Sequence, residues 1–177
     1  NIMRALLPQL SSSKSVERRV GIAAALKHCA KDKDEHYYLD DELHAPVVAL
    51  RVLADQRDID KRRNKEEKVA ECFTAVSVGN REDDPQVALF LLEALNCFCA
   101  TRRCRRRLKA VDAYAVVRDT DLAFSPGTAE DDDDDDQAPK GVLVTTEDCP
   151  QEEQEEEENG ISSRISRVCA DIADMLL

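Results

Sequence analysis

The sequence predicts an all-α fold, and three observations support this class. The 177 residues include only five glycines and six prolines, so few residues suit the turns that join β-strands. No long run alternates apolar and polar residues, as a half-buried strand would. The stretch 87–99 is apolar on almost every side, and a helix of that kind must be buried between neighbouring elements.

The first third of the chain predicts helices separated by short polar loops. Residues 2–10 have the pattern of the end of a helix. Ser15 is a suitable N-cap for a helix over 16–30, which carries apolar residues at helical spacing. A polar loop at 31–35 follows, and Pro46 suits the first turn of the next helix.

The middle of the chain is less regular. Residues 55–68 are mostly charged, and the apolar pattern resumes at 69–76 with spacings of three and four residues. Gly79 and Asn80 are expected to end that helix.

A helical hairpin is the clearest local prediction. Asp84 is expected to be an N-cap, with Pro85 at the first helical position. The apolar helix at 87–99 follows, then a basic turn at 102–107, then a second helix over 108–117. An inner helix joined by a short turn to its partner is the unit of a helical solenoid.

The net charge of −12 conceals two regions of opposite character. Residues 119–160 hold seventeen acidic residues and one lysine, whereas the remainder has four more basic than acidic residues. We therefore expect a helical repeat body over 1–123, a disordered acidic insert over 124–160, and a closing helix over 161–177 that packs on the body.

An internal repeat is visible at an offset of 69 residues. Helix–loop–helix units in register are typical of armadillo and HEAT arrays, although their period of about 40–47 residues leaves room for an irregular unit between these two copies. The predicted architecture is therefore an armadillo/HEAT-like α-solenoid. The matches are Ala25-Leu26 with Ala94-Leu95, Leu39 with Leu108, and Val47-Val48 with Val116-Val117.

The order of these landmarks resembles the C-terminal part of a eukaryotic armadillo-like family, the "high growth" protein homologues. The sequence departs from the family pattern at His28, at Cys104 and in the acidic insert. The matching residues are 18–21, 26–29, His36 and Leu39; then Arg81, Asp84, 91–95, 99–102, Leu108, Ala113-Tyr114 and Arg118; and finally Val168-Cys169, Ile172 and Leu176.

The resemblance implies a chaperone or adaptor that assists the folding of translation elongation factor 2 together with the cytosolic chaperonin. It implies a cytoplasmic protein, with a nuclear location as the alternative, that works by binding proteins. The competing hypothesis is a generic nuclear or ribosome-associated helical scaffold that binds electrostatically through its basic turn and acidic insert.

No catalytic signature is present, since the sequence has no nucleophile elbow, phosphate-binding loop, dinucleotide fingerprint or metalloprotease motif. We therefore expect no enzymatic activity and no cofactor. The odd number of cysteines, seven, and the lack of a secretory segment favour a reducing compartment. No apolar run is long enough to suggest a membrane span.

Two cysteine groupings could suggest a metal site. Cys97 and Cys99 would point about 200° apart on a helix, so they are expected to be core residues and not ligands of one ion. His28, Cys29 and His36 do not have the spacing of a zinc finger, and we expect the histidines to have structural roles.

The basic turn is the candidate partner-binding site. Five arginines at a helix start oppose the helix dipole, so the charge is expected to have a use. The open alternatives are an anionic protein surface, RNA, and the chain's own acidic insert, with nucleic acid disfavoured because interleaved aromatics are missing. Cys104 lies among these arginines, which would lower its pKa and allow a reactive thiol. The candidate residues are Arg102, Arg103, Arg105, Arg106, Arg107 and Lys109.

Overall fold

The computed structural model describes residues 2–65, 73, 79–125 and 152–177. Within these ranges the chain is mostly helical and has no β-strand, which confirms the all-α class. The helices are α1 (Ile2–Leu6), α2 (Gln9–Ser12), α3 (Val16–Ala30), α4 (His36–Asp41), α5 (Ala45–Leu53), α6 (Gln56–Asn64), α7 (Pro85–Cys99), α8 (Arg102–Ala110), α9 (Ala113–Phe124) and α10 (Glu152–Leu176).

Two predicted helix starts are confirmed by their caps. The side chain of Ser15 accepts a hydrogen bond from the backbone N–H of Arg18 at the start of α3. The carboxylate of Asp84 accepts two, from the backbone N–H groups of Gln86 at 3.0 Å and Val87 at 2.9 Å. These bonds satisfy amide groups that have no partner inside the helix.

Helix α7 is the centre of the core, as its apolar sequence predicts. It packs mainly against α3 and α10, and also against α5. Its buried positions lie on several sides of the helix, which is possible only because neighbours cover it on more than one side. They are Val87, Ala88, Leu89, Leu91, Leu92, Ala94, Leu95, Phe98 and Cys99.

The one charged residue of α7 joins its two main neighbours. Glu93 forms an ion pair with Lys27 of α3, at 2.6 Å between Nζ and Oε2, and a second with Arg164 of α10 at 3.2 Å. The ammonium of Lys27 also lies 4.9 Å from the ring centre of Phe90. A single carboxylate therefore contacts helices from both ends of the chain.

The two copies of the internal repeat agree better in their helices and buried positions than in their amino-acid sequence. Helices α3 and α7 are both 15 residues long and begin 69 residues apart. Buried Leu39 of α4 corresponds at the same offset to buried Leu108 of α8. Four buried positions of α3 fall on four buried positions of α7: Ile22 on Leu91, Ala23 on Leu92, Leu26 on Leu95, and Ala30 on Cys99.

The third sequence match, of Val47-Val48 with Val116-Val117, is wrong by one residue. Three residues join α4 to α5, whereas two join α8 to α9. In both copies the residue before the third helix has a left-handed backbone, with φ of 51° at His44 and 55° at Asp112. Helices α5 and α9 therefore correspond at an offset of 68.

Two charged stretches that the sequence assigned to irregular structure are helical. The predicted basic turn belongs to α8, and the predicted helix over 108–117 is divided between α8 and α9. Part of the charged stretch 55–68 forms α6, where the side chain of Asp55 accepts a hydrogen bond from the backbone N–H of Arg57. Arginine has a high helix propensity, so a run of charge does not by itself interrupt a helix.

The final helix starts at Glu152, earlier than the predicted 161. Glutamate has a high helix propensity, so an acidic sequence does not by itself exclude a helix. The buried residues Ile165, Cys169, Ile172 and Leu176 lie on α10, which packs against α7 and α9.

Two predictions fall largely outside the described residues. They are the core of the acidic insert at 126–151 and the helix over 69–76, of which Phe73 alone is described and is buried. Across the described ranges, no helix has both the length and the apolar character that crossing a membrane requires.

Candidate protein-binding surface

Helix α8 exposes most of its side chains. Cys104 and Leu108 are buried, whereas the six basic residues are exposed or half-buried. Three of these six residues have partners within the chain, and the other three have no ion-pair partner among the described residues.

Arg103 and Arg107 bind the end of α4. The Arg107 guanidinium donates to the Oδ1 of Asp40 and to the carbonyl oxygen of Asp40, both at 2.7 Å. Arg103 pairs with Asp41, which raises the pKa of Arg103, and it lies 4.7 Å from the ring centre of Tyr37. Because Asp40 is only 1 % exposed, its charge needs these partners. Both arginines therefore attach α8 to α4.

Arg105 has a different structural role. Its guanidinium donates to the carbonyl oxygen of Cys99 at 2.5 Å, at the last residue of α7. The final carbonyls of a helix have no intrahelical donor and carry partial negative charge. Arg105 therefore caps the buried helix from the start of its neighbour.

Arg102, Arg106 and Lys109 form what we call the basic stripe. All three are exposed, and none makes an ion pair with the part of the chain that the structure describes. At about 100° per residue they lie within about 60° of one another around the helix. An open depression beside the stripe is lined by Arg102, Arg103, Arg106, Arg107, Asp40 and Asp41.

The predicted activation of Cys104 is wrong. Its side chain is fully buried, and burial raises the pKa of the thiol, although a hydrogen bond with Thr101 acts in the opposite direction. Arg103 and Arg107 lower the pKa of this thiol as the sequence predicts, but burial has the larger effect. The prediction failed because it did not place Cys104 in the core.

The histidine and cysteine groupings have the surroundings of structural residues. His36 is buried, with its Nε2 atom 2.7 Å from the carbonyl oxygen of Ala30 and its Nδ1 atom 3.2 Å from Oγ1 of Thr101. Its ring centre lies 5.1 Å from that of Phe98. Cys99 is buried and Cys97 half-buried, and within the described ranges no three His, Cys, Asp or Glu residues are grouped as metal ligands.

Several residues that carry the family resemblance also hold the fold together. Arg19 of α3 forms a bidentate ion pair with Glu82, at 2.8 and 2.9 Å. Arg81 donates to the carbonyl oxygen of Leu53 at 2.9 Å and pairs with Asp58 at 2.7 Å. These contacts fasten the segment before α7 to α3, α5 and α6.

Asp40 and Asp41 were missed in the sequence. The available signal was that two acidic residues end a helix whose copy, α8, is strongly basic. Composition indicated that the arginines needed anionic partners, but it pointed to the much larger acidic insert.

Comparison with known proteins gives similarity to one group. The chain is 28% identical to "Protein HGH1 homolog" of Danio rerio over 119 residues, which cover 67% of this chain and 31% of that protein. It is 30% identical to the Drosophila melanogaster protein of the same name over 119 residues, 67% of this chain and 32% of the relative. The chain thus spans about a third of the length of these curated relatives.

No family model and no solved structure matches the chain. The agreement with the curated relatives extends over two thirds of its length, and the same family was indicated independently by the order of the landmarks at 18–39, 81–118 and 168–176. The chain belongs to the HGH1 homologue family, of whose members it represents a part.

Proposed function

We propose that this chain is part of an armadillo/HEAT-like α-solenoid whose function is to bind proteins, without catalysis. The observation that carries this proposal is the repetition of three helices in the same order. Helices α3 and α7 have the same length and share four buried positions at an offset of 69, and buried Leu39 of α4 corresponds to buried Leu108 of α8. The residues before α5 and α9 share a left-handed backbone. Repeats that stack in this way bury their inner helices and present their other helices to partners.

The specific partner follows from the family resemblance. Under this proposal the protein is a cytoplasmic chaperone or adaptor that assists the folding of translation elongation factor 2 with the cytosolic chaperonin. Its binding would depend on a preformed helical surface, because α7 is fixed by packing on two sides and by the ion pairs of Glu93.

The alternative is a nuclear or ribosome-associated scaffold. The exposed basic stripe favours this second candidate, since a cluster of unpaired cations can also attract RNA. Retention of RNA that weakens steeply between about 50 and 200 mM salt would support it.

The test is affinity purification from a eukaryotic cytosol at moderate salt, followed by mass spectrometry. An unrelated helical protein of equal net charge is the control bait. Enrichment of elongation factor 2 and chaperonin subunits over this control is the expected result. If a folded sample enriches neither, the proposed client and chaperonin assignment fails.

A further inference from the structure

We propose that the basic stripe, Arg102, Arg106 and Lys109, binds an acidic segment of a partner protein. This inference rests on the proposed protein-binding function and names the chemistry of one partner surface. It separates these three residues from the other basic residues of α8, which have internal partners.

The separation follows from the contacts of α8. Arg103 and Arg107 are matched by Asp41 and Asp40, and Arg105 by the carbonyl oxygen of Cys99. The stripe has no such match among the described residues. Positive charge in the first turn of a helix is unfavourable because of the helix dipole, and an internal carboxylate offsets this for Arg103. Arg102, the first residue of α8, has no such carboxylate among the described residues, and a bound anion would offset it there.

The spacing of the stripe suits an acidic run. Along the helix axis, Arg102 and Arg106 are separated by about 6 Å, and Arg106 and Lys109 by about 4.5 Å. In an extended peptide, side chains on one face repeat about every 7 Å. A peptide with consecutive acidic residues can therefore place one carboxylate near each cation.

The depression beside the stripe supports the same choice of ligand. Four guanidinium groups and only two carboxylates line it, so it carries an excess of positive charge. The guanidinium groups of Arg103 and Arg107 already bind carboxylates at its edge, and Arg matches the planar geometry of a carboxylate. A partner's Asp or Glu would complete this arrangement with Arg102 and Arg106.

A peptide is favoured over RNA by the surroundings of the stripe. Recognition of single-stranded RNA commonly uses aromatic rings on which bases stack. Tyr37 is an aromatic residue at this surface, but the guanidinium of Arg103 lies 4.7 Å from its ring centre. That face of the ring is therefore already occupied and does not offer a base a place to stack. The other candidate anion is the acidic run 130–136 of this chain, which the experiment separates from an external partner.

The experiment measures binding of a fluorescein-labelled peptide of eight glutamates by fluorescence anisotropy, at about 50 and 200 mM NaCl. The protein is the full chain, as wild type and as Arg102→Gln/Arg106→Gln/Lys109→Gln. Glutamine keeps the helix propensity close to that of arginine and lysine. The matched control, Lys14→Gln/Arg18→Gln/Lys33→Gln, removes three exposed cations from other surfaces.

We expect the stripe variant to bind the peptide about tenfold more weakly than wild type, with a smaller salt dependence. The control variant should change the Kd by less than about twofold. Circular dichroism and thermal unfolding of all three proteins establish that the variants are folded. Equal weakening in both triple variants would overturn the proposal, because net charge alone would then explain binding.

Two further measurements test which anion binds the basic stripe. If replacing all six aspartates at 131–136 by Asn tightens peptide binding about tenfold, the stripe is occupied by the chain itself and the external partner is wrong. If a ten-nucleotide uridine RNA displaces the peptide at lower concentration than unlabelled peptide does, the ligand class is wrong. The proposal is supported if the replacements by Asn leave the affinity for the peptide unchanged, and if the RNA displaces the labelled peptide less effectively than unlabelled peptide does.

The outcome is separable from that of the proposed function. Peptide binding that does not depend on the stripe refutes this inference even if elongation factor 2 is enriched by the wild type. Absence of elongation factor 2 and chaperonin from the affinity purification refutes that client assignment even if the stripe binds the peptide.

Discussion

Helices α7 and α8 follow one another with only Ala100 and Thr101 between them. Yet α7 contributes to the fold through apolar burial, whereas α8 is held mainly by ionic contacts. Nine of the fifteen residues of α7 are buried, and its only charge is the bridging Glu93. In α8 only two of nine residues are buried, and six are basic. The difference shows that the core depends on the first helix, while the second is attached by specific ionic contacts and leaves three cations for solvent or a partner.

The largest expected effect tests the core role of α7. Leu92→Ala removes a fully buried side chain, so we expect the free energy of unfolding to fall by about 2–5 kcal/mol through lost burial and a residual cavity. Urea-induced unfolding followed by circular dichroism measures it. Lys109→Ala, at an exposed position of α8, is the control, and an equal loss in both variants would remove the contrast between the helices.

The next effect concerns the attachment of α8. Arg107→Gln leaves the buried carboxylate of Asp40 with Arg103 alone, at 3.6 Å, and we expect a loss of about 2 kcal/mol. Arg106→Gln changes the same residue type one position earlier and should have little effect. If both substitutions cost the same, the assignment of Arg107 to the α4 contact is wrong.

The buried thiol of Cys99 in α7 should make the free energy of unfolding depend on pH in the alkaline range. Burial raises the pKa of the Cys99 thiol to about 11, whereas an exposed thiol has a pKa of about 8.5. Above about pH 9 the unfolded state releases a proton that the folded state keeps, so this thiol makes the free energy of unfolding fall by up to about 1.4 kcal/mol per pH unit. That contribution is fully present below about pH 8.5 and is lost as the pH rises toward about 11.

The measurement is urea unfolding between pH 8.5 and 10.5 for wild type, Cys99→Ala and Leu89→Ala. Cys99→Ala should show a shallower pH dependence than wild type. Leu89→Ala, which changes the core without removing a titratable group, should keep the wild-type slope. Parallel slopes for wild type and Cys99→Ala would show that burial does not raise the pKa of this thiol.

A smaller effect is expected at the start of α7. Asp84→Ala removes the two cap hydrogen bonds to Gln86 and Val87, and we expect thermal unfolding to show a loss of about 1 kcal/mol. Asp84→Asn should recover most of it, since asparagine caps about as well. Failure of asparagine to restore stability would mean that the charge, and not the cap, is required.

The smallest effect is expected at the basic stripe. Arg102→Gln/Arg106→Gln should change the free energy of unfolding by less than about 0.5 kcal/mol, or raise it slightly, because both side chains are exposed and Arg102 opposes the dipole at the start of α8. Thermal unfolding at low salt is the most sensitive measurement. A loss above about 1 kcal/mol would show that the stripe has a structural partner.

Much of the fold could be predicted because helix signals are local. Caps at Ser15 and Asp84 and the all-round apolar pattern of 87–99 are properties of neighbouring residues, and the structure agrees with them. The basic segment 102–107 differs from the predicted turn because the high helix propensity of arginine outweighs the effect of its charge. The one-residue shift between α5 and α9 depends on a loop length that the spacing of two valine pairs could not reveal.

The basic composition of the candidate surface could be predicted, but which of its cations have partners within the chain could not. The run 102–109 is visibly basic, yet which cations have partners depends on Asp40 and Asp41, more than sixty residues away. The interior position of Cys104 depends likewise on which side of α8 meets the core. Such contacts between distant segments require the tertiary arrangement.

The packing of α10 has a consequence for where this chain can be shortened. Helix α10 packs against α7 and α9, and its buried residues Ile165, Cys169, Ile172 and Leu176 belong to the same core as α7. Without α10, apolar surface of α7 would be exposed to solvent, and large exposed apolar patches promote association between molecules. A deletion that starts within α10 should therefore yield an aggregating protein, even though the repeated helices α3–α5 and α7–α9 would remain intact in sequence.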